Sequence, residues 1–284
     1  MHGEILTDVY EYLYDDLQFI LKSAARFRII ASLLESPKTF DEIRGDVRVS
    51  LPALYSNLRL LMDEGSVRLR GDRYSLTPEM KLMGLSALKL FDSVRVINGL
   101  EDIWLDHDIS GIPQELLEDI DWLINSELIV ASPADIYRPH NTYRELIGGS
   151  SEIYGVSPIS HRDLIDIYEG FLEEGVPIEL VLSDGVIREM VLNASFSLLR
   201  TSIKNRNLRV RRFEGDLRVA FTVTDKFLSL GLFDRNGFYD QNRDIMSTDA
   251  RAIEWGLRLY EHYRERSEKL GLRNLTKIML STGN

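Results

Sequence analysis

At Gly65 the hydrophobic period of this chain drops from about 3.6 residues to about 2. Upstream, Leu51, Leu54, Leu58 and Leu61 fall on one helical face. Downstream, Val67-Arg68-Leu69-Arg70 alternates apolar and basic residues, Gly71-Asp72 is a two-residue turn of the hairpin-favoured kind, and Arg73-Tyr74-Ser75-Leu76 returns. A stripe wound at helical spacing cannot serve a strand, so a helix must end here and a two-stranded ribbon begin. Arg70 and Arg73 flank the turn. Like charges at opposed hairpin positions cost a few tenths of a kcal/mol to about 1 kcal/mol, and a polyanion beside the ribbon would reverse that sign.

The residues before Gly65 supply the rest of a small module. Residues 9–34 carry an apolar stripe (Val9, Leu13, Leu17, Leu21, then Ala24, Phe27, Ile30, Ala31 and Leu34) that predicts one or two helices, stopped by Pro37. Thr39-Phe40-Asp41-Glu42 is a capping-box pattern and opens a short helix to about Arg44, with Gly45 closing it. Ser50 caps the next helix, which tolerates Pro52 in its first turn and ends at Gly65. Three short helices followed by a basic hairpin is the order of a winged helix-turn-helix, whose third helix enters the major groove while the wing touches flanking backbone. Residues 26–78 resemble ArsR-like winged-helix regulators in Arg26-Phe27-Arg28-Ile29-Ile30, in the leucine frame of residues 50–61 and in the hinge Glu64-Gly65-Ser66-Val67. On that reading Ala53, Tyr55 and Ser56 face base edges of double-stranded DNA, and Arg59, Arg68, Arg70 and Arg73 face phosphates, which position a protein without specifying sequence.

Charge distribution supports a basic module better than the total does. The net charge is −11, yet Leu17–Pro78 holds ten Lys/Arg against seven Asp/Glu, and the rest of the chain is acidic. The chain has no cysteine, which removes disulfides, zinc-thiolate sites and thiol nucleophiles. No apolar run approaches the ~20 residues that cross a bilayer, so a soluble cytoplasmic protein without a membrane partner is expected.

At 284 residues the chain has room for about two domains. The expected division is a DNA-binding domain over 1–78, a helical connector over 79–107 and a regulatory domain over 108–284. Thr77-Pro78-Glu79 is an N-terminal helix signal, and the greasy stretch to about Leu105, interrupted by Gly84 and Gly99, is a candidate homodimer interface. From residue 108 strands (127–131, 152–156, 177–182) alternate with helices (143–147, 161–174, 185–199), which predicts a parallel sheet with helices packed on it. Consecutive strands over 208–212, 218–224 and 227–233 then predict an antiparallel part. A last helix is expected over 249–269, with Glu265 and Lys269 paired on its solvated side. The fold class is therefore α/β with two domains, the second an α/β sandwich on a mixed sheet.

The first three strands each run into a serine, Ser132, Ser157 and Ser183, and open α/β sheets bind ligands beyond such strand ends. The loops add Asp135, Tyr137, His140 and His161, and Asp225 could join from a neighbouring strand. Together these eight residues are the candidate ligand site. Asp108-Ile109-Ser110-Gly111-Ile112-Pro113, residues 135–140, Tyr154-Gly155-Val156-Ser157-Pro158 and residues 220–233 resemble an archaeal winged-helix family named for regulators of methane formation, the Fil-type regulators. That resemblance implies an archaeal transcriptional regulator whose second domain follows the phospholipase D fold in outline and senses a small molecule or a protein partner.

The phospholipase chemistry itself needs a His with a Lys two positions on. The residues two after the five histidines are Glu4, Ile109, Thr142, Asp163 and Arg264, so the motif is absent. No phosphate-cradling loop or zinc-protease helix pair occurs, no cofactor is implied, and a metal at Asp135, His140 and His161 has no supporting spacing. The expectation is a DNA-binding regulator that is not an enzyme. Two other readings stay open at this level: a winged-helix adaptor that docks on protein, and a hydrolase at the serine-lined strand ends. The basic stretch Arg200–Arg218 reads as a solvated helix end and a charge-protected edge strand, or else as a contact for an anionic ligand, an acidic partner or a second stretch of DNA.

Overall fold

The structure, a computed structural model, describes residues 13–160, 162–193 and 195–282. The chain forms two compact units that meet between Asp92 and Ser93. In the first, residues 13–21 are helical and a break at Lys22-Ser23 follows. Ser23 then accepts the Arg26 amide to start α1 (Ala24–Glu35). The capping box forms as expected. Thr39 Oγ1 accepts the Glu42 amide, and the Glu42 carboxylate accepts the Thr39 amide at 2.6 Å, opening α2 (Phe40–Asp46). This helix runs through Gly45 instead of stopping there. Asp46 is held at its end by the Ser32 hydroxyl (2.7 Å) and by Lys38 (2.5 Å).

Ser50 caps α3 (Leu51–Asp63), and α3 closes in a Schellman motif, with the Ser66 amide on Leu61 O and the Gly65 amide on Met62 O. The ribbon follows: β2 (Val67–Arg70) pairs with β3 (Arg73–Leu76) in the register Arg70↔Arg73. Gly71 takes φ 64° at the first central turn position, as a type II′ turn requires. A short strand β1 (Lys38–Thr39) pairs on the far side of β3. Ile29, Ile30, Ile43, Leu54 and Leu61 are fully buried and make the core of this unit. Thr77 caps α4 (Pro78–Gly99), the helix within which the division between the units falls.

The second unit is built on a large mixed sheet. Its strands are β4 (His107–Asp108), β5 (Glu127–Val130), β6 (Ile153–Ser157), β7 (Ile178–Leu182), β8 (Leu208–Phe213), β9 (Val219–Thr224), β10 (Leu228–Asp234), β11 (Arg243–Ser247) and β12 (Ser267–Leu270). The order is β12-β8-β7-β6-β9-β10-β11-β5, with β4 on β10. Only β6-β7-β8 are mutually parallel neighbours; the other pairings are antiparallel. The expected strand β5 therefore lies at the far edge, on β11, and not beside β6.

Side chains alternate along the strands into two cores. Val156, Val181, Val219, Phe221 and Val223 meet Trp255 and Leu259 of α11 (Ala250–Glu265) on one face. Ile153, Ile178, Leu180 and Leu182 meet the opposite helical layer on the other. That layer holds α7 (Arg138–Ile147), α8 (Arg162–Glu173), α9 (Asp184–Asn193), α10 (Phe196–Asn205) and α12 (Leu272–Thr282). The shorter α5 (Glu101–Asp106) and α6 (Gln114–Leu117) precede β5. Each large apolar side chain fully buried this way contributes about 1.5–3 kcal/mol.

Three expectations need correction. The single helix over 185–199 is two, α9 and α10, and Ser195 starts the second. The last helix stops at Glu265, and Lys269 lies in β12, so no helical Glu265–Lys269 pair exists. The bare edge of β8 draws the chain into a strand there: Arg211 donates to Ser267 Oγ and Ser267 O, both at 2.8 Å, and Leu270 is buried. Finally, β11 lay unrecognised in Arg243–Ser247.

Candidate nucleic-acid interface and buried cavity

In the first unit, the residues expected to read DNA lie on α3 and the ribbon. Tyr55 is 63% exposed, and its ring leans on Phe40 at 4.5 Å between centroids, which fixes its direction. Ser56 is exposed and donates to Ala53 O (3.2 Å); Ala53 itself is half-buried. Arg59 stands in solvent with a loose contact to Asp63 at 3.8 Å. Arg68 and Arg70 are exposed, and neither has an ion-pair partner among the described residues. Arg73 differs. Its guanidinium donates to Pro37 O (3.1 Å) and to Glu42 Oε2 (3.2 Å), so β3 is tied to the start of α2 and part of this charge is already neutralised. The Thr39 amide and hydroxyl, with Arg73, hold the Glu42 carboxyl below the usual range. Sequence reading missed Arg44 and Arg48, two exposed arginines at the end of α2 and in the turn before α3. Their place between two capped helices was the available signal.

In the second unit, a cavity of about 760 Å³ lies between the sheet and the helices of the second core. Its floor is a row of short side chains across three strands. Gly155 of β6 pairs with Thr222 of β9, and Thr222 with Ser229 of β10. A Cβ at Gly155 would stand 2.9 Å from Leu180 Cδ2, so any larger residue there would have to displace the Leu180 side chain. Three hydroxyls meet above this row: Tyr143 Oη lies 3.0 Å from Tyr168 Oη and 3.2 Å from Thr222 Oγ1, and the last pair is 3.3 Å apart. Burial pushes both tyrosine hydroxyls up in pKa. Asp244 of β11 closes one side. Its Oδ2 accepts the Ser229 hydroxyl at 2.8 Å. Burial raises this carboxyl to about 7, against the Ser229 hydroxyl and the Leu230 amide, which favour the charged form.

Of the eight expected ligand residues, Tyr137, His140 and Ser157 line this cavity. Ser157 is engaged in its own turn with Ile159, and His140 Nε2 lies 3.5 Å from Asp163. Four stand elsewhere. Ser132 and Asp135 bridge each other in the turn after β5, on the far edge strand. Ser183 caps nothing in the cavity and follows β7. Asp225 lies at the opposite end of the sheet, because β9 runs antiparallel to β6; there it accepts the Ser151 amide (2.9 Å) and hydroxyl (2.8 Å). His161 lies outside the described residues. The residues missed were Tyr143, Tyr168, Thr222, Ser229 and Asp244. For Thr222, Ser229 and Asp244 the signal was a polar residue inside an otherwise apolar strand; Tyr143 and Tyr168 lie on the helices α7 and α8 and carried no such signal.

Among the described residues, no group of three or more His, Asp or Glu side chains is placed to hold a metal ion. Nor is any helix among them long and apolar enough to cross a membrane.

Residues 136–266 match the family model of the middle domain of methanogenesis regulatory protein FilR1. Among curated proteins, the chain is 26% identical over 264 residues to methanogenesis regulatory protein FilR1 of Methanothrix harundinacea (strain 6Ac), covering 92% of this chain and 59% of that protein. Both sequence matches are to a regulatory protein rather than to an enzyme. Among solved structures, TrmBL2, described as an archaeal chromatin protein with a novel mode of DNA binding, aligns at 18% identity and a TM-score of 0.41 over 87% of this chain and 94% of its own. Phosphatidylserine synthase of Haemophilus influenzae Rd KW20 aligns at 14% identity and a TM-score of 0.40, over 72% of this chain and 57% of its own. The present chain thus carries a segment similar to the FilR1 middle domain and spans 59% of the length of the FilR1 relative it resembles.

Proposed function

We propose that this chain is a DNA-binding transcriptional regulator, with a winged helix-turn-helix in the first unit and a ligand-sensing domain of phospholipase D-like outline in the second. The carrying observation is the pair Arg68 and Arg70, exposed and without ion-pair partners among the described residues, on a ribbon directly joined to a serine-capped helix. Two uncommitted guanidiniums on a narrow β-ribbon suit backbone phosphates, and the exposed side of α3 with Tyr55 and Ser56 suits base edges. Likeness to a protein named as a methanogenesis regulator supports the same reading.

The chain acts in the cytoplasm as a homodimer. Leu82, Leu85 and Leu90 of α4 are 68%, 48% and 51% exposed, an apolar side that a second copy would cover. The second unit responds to a small molecule in its cavity, and a difference in affinity between two arrangements of the dimer would couple that binding to DNA.

Capture of sheared genomic DNA on the purified chain, followed by sequencing, tests the regulator reading. Enrichment of a few discrete sites is expected, and uniform recovery of the genome would overturn it. Light scattering at micromolar concentration should give twice the chain mass for wild type, and the chain mass for Leu82→Glu/Leu85→Glu.

A further inference from the structure

Asp244 is buried on the wall of the cavity, and among the described residues only one of its carboxylate oxygens is hydrogen-bonded. Oδ2 takes the Ser229 hydroxyl, while Oδ1 has no hydrogen-bond partner among the described residues. A buried carboxyl with an idle oxygen is costly unless a donor reaches it. Among the described residues no donor reaches it, and the nearby cations are engaged elsewhere. Arg243 also lines the cavity, but its Nε is on Asp240 (2.7 Å) and its Nη1 on Asp106 (2.9 Å). His140 is turned to Asp163.

The remaining surroundings favour positive charge. Asp163 and Glu169 are the other carboxyls in the lining, and the rings of Tyr143, Tyr168 and Tyr239 present faces or edges to the same space. Opposite them the wall is apolar: Leu180, Leu182, Val186, Met190 and Leu199. The volume falls in the range of pockets that enclose a whole small molecule.

We propose that this cavity binds a compact apolar molecule carrying one protonated amine, with the ammonium on Asp244 Oδ1 and the apolar body against the leucine side. The inference rests on the reading of the second unit as a ligand-sensing domain and names the class of its ligand. An anionic ligand is disfavoured because among the described residues no cation in the lining is free of a carboxylate, and an uncharged one would leave the carboxyl paired more weakly.

Three probes of one shape separate the possibilities: phenylbutylamine, phenylbutanol and phenylbutyrate, titrated into the full chain by calorimetry. The amine should bind, about tenfold or more tighter than the alcohol, since a charge-assisted hydrogen bond replaces a neutral one. Phenylbutyrate should not bind. In Asp244→Asn the amine should lose about tenfold or more and the alcohol should change little. In Ser229→Ala, which keeps the carboxyl, the amine preference should persist. The order of the three probes on wild type stands even where Asp244→Asn fails to fold. Phenylbutyrate binding as tightly as the amine, an amine affinity untouched in Asp244→Asn, or no binding by any of the three would each overturn the assignment. The sensor reading is scored separately, by DNA affinity at saturating amine. Amine binding that leaves DNA affinity unchanged would keep the ligand class and remove the sensing role.

Discussion

Two segments of this protein are rich in arginine, and they use it in opposite ways. On the ribbon of the first unit Arg68 and Arg70 face solvent without an ion-pair partner among the described residues. On β8 and the turn that follows, the arginines are spent inside the fold. Arg209 and Arg211 converge on Glu179 at 3.2 and 3.7 Å, Arg212 meets Asp184 at 2.9 Å, and Arg218 meets Asp216 at 2.5 Å. Arg206 does a third job, closing α10 in a left-handed conformation. In sequence the two segments carry the same net charge, three Arg against one Asp over Val67–Leu76 and four Arg against Glu214 and Asp216 over Leu208–Arg218. What separates a ligand surface from a structural ion-pair network is therefore the carboxylate each guanidinium finds, not the density of positive charge. The reading of β8 as an edge strand protected by solvated charge is overturned, because β12 pairs along it and its arginines are held by carboxylates.

The comparison breaks most visibly at Arg211. Its side chain is 18% exposed and that of Glu179 8% exposed, and removing it while Arg209 stays on Glu179 at 3.2 Å costs about 2 kcal/mol, as for a hydrogen-bonded contact to a charged group. Arg211→Ala should lower the unfolding free energy of the second unit by that amount while DNA affinity stays at the wild-type level. Arg209→Ala, half exposed, should cost about 1 kcal/mol or less. Loss of DNA binding in either folded variant would put the two arginine segments in one class after all.

A second contrast lies between two carboxyls of the second unit, Asp240, which has a cation, and Asp244, which has none among the described residues. Arg243, Asn242 and His107 hold Asp240 below its ordinary value despite its burial, whereas Asp244 is raised to about 7. A raised folded-state value means that the native state keeps a proton the unfolded chain has released. Stability of the second unit should therefore fall as pH rises from about 4 to about 7, then level off. Urea titrations across that range should show this fall in wild type and a flatter profile in Asp244→Asn. Identical profiles would mean that the carboxyl is not the titrating group.

The smallest expected effect concerns Arg73, the ribbon arginine already shared with Glu42. Arg73→Ala should reduce the slope of log K against log[salt] by less than the ~0.9 of a full phosphate contact. A full-sized change would show that Arg73 leaves Glu42 for the duplex.

Much of the first unit was legible because its signals are local. The capping box at Thr39 and Glu42, the Ser50 cap and the Gly71-Asp72 turn each lie within four residues of chain, and each forms as read. The second unit was legible in its elements but not in its order. The strand ends gave Ser157 correctly as part of the cavity lining, yet placed Asp225 there too, since nothing local says that β9 runs antiparallel to β6. The floor of the cavity escaped for the same reason. Gly155, Thr222 and Ser229 are far apart in sequence and become one row only through cross-strand register. Asp244 was hidden in a five-residue strand whose charged start, Arg243-Asp244, looks like a loop.

DNA affinity of Arg68→Ala/Arg70→Ala, measured by fluorescence anisotropy over a salt series on a captured genomic site, bears most directly on the regulator account. With two phosphate contacts removed, the slope of log K against log[salt] should become shallower by about 2, and the loss should be similar on an unrelated duplex. A slope equal to wild type, in a variant that folds and denatures as wild type does, would contradict the account.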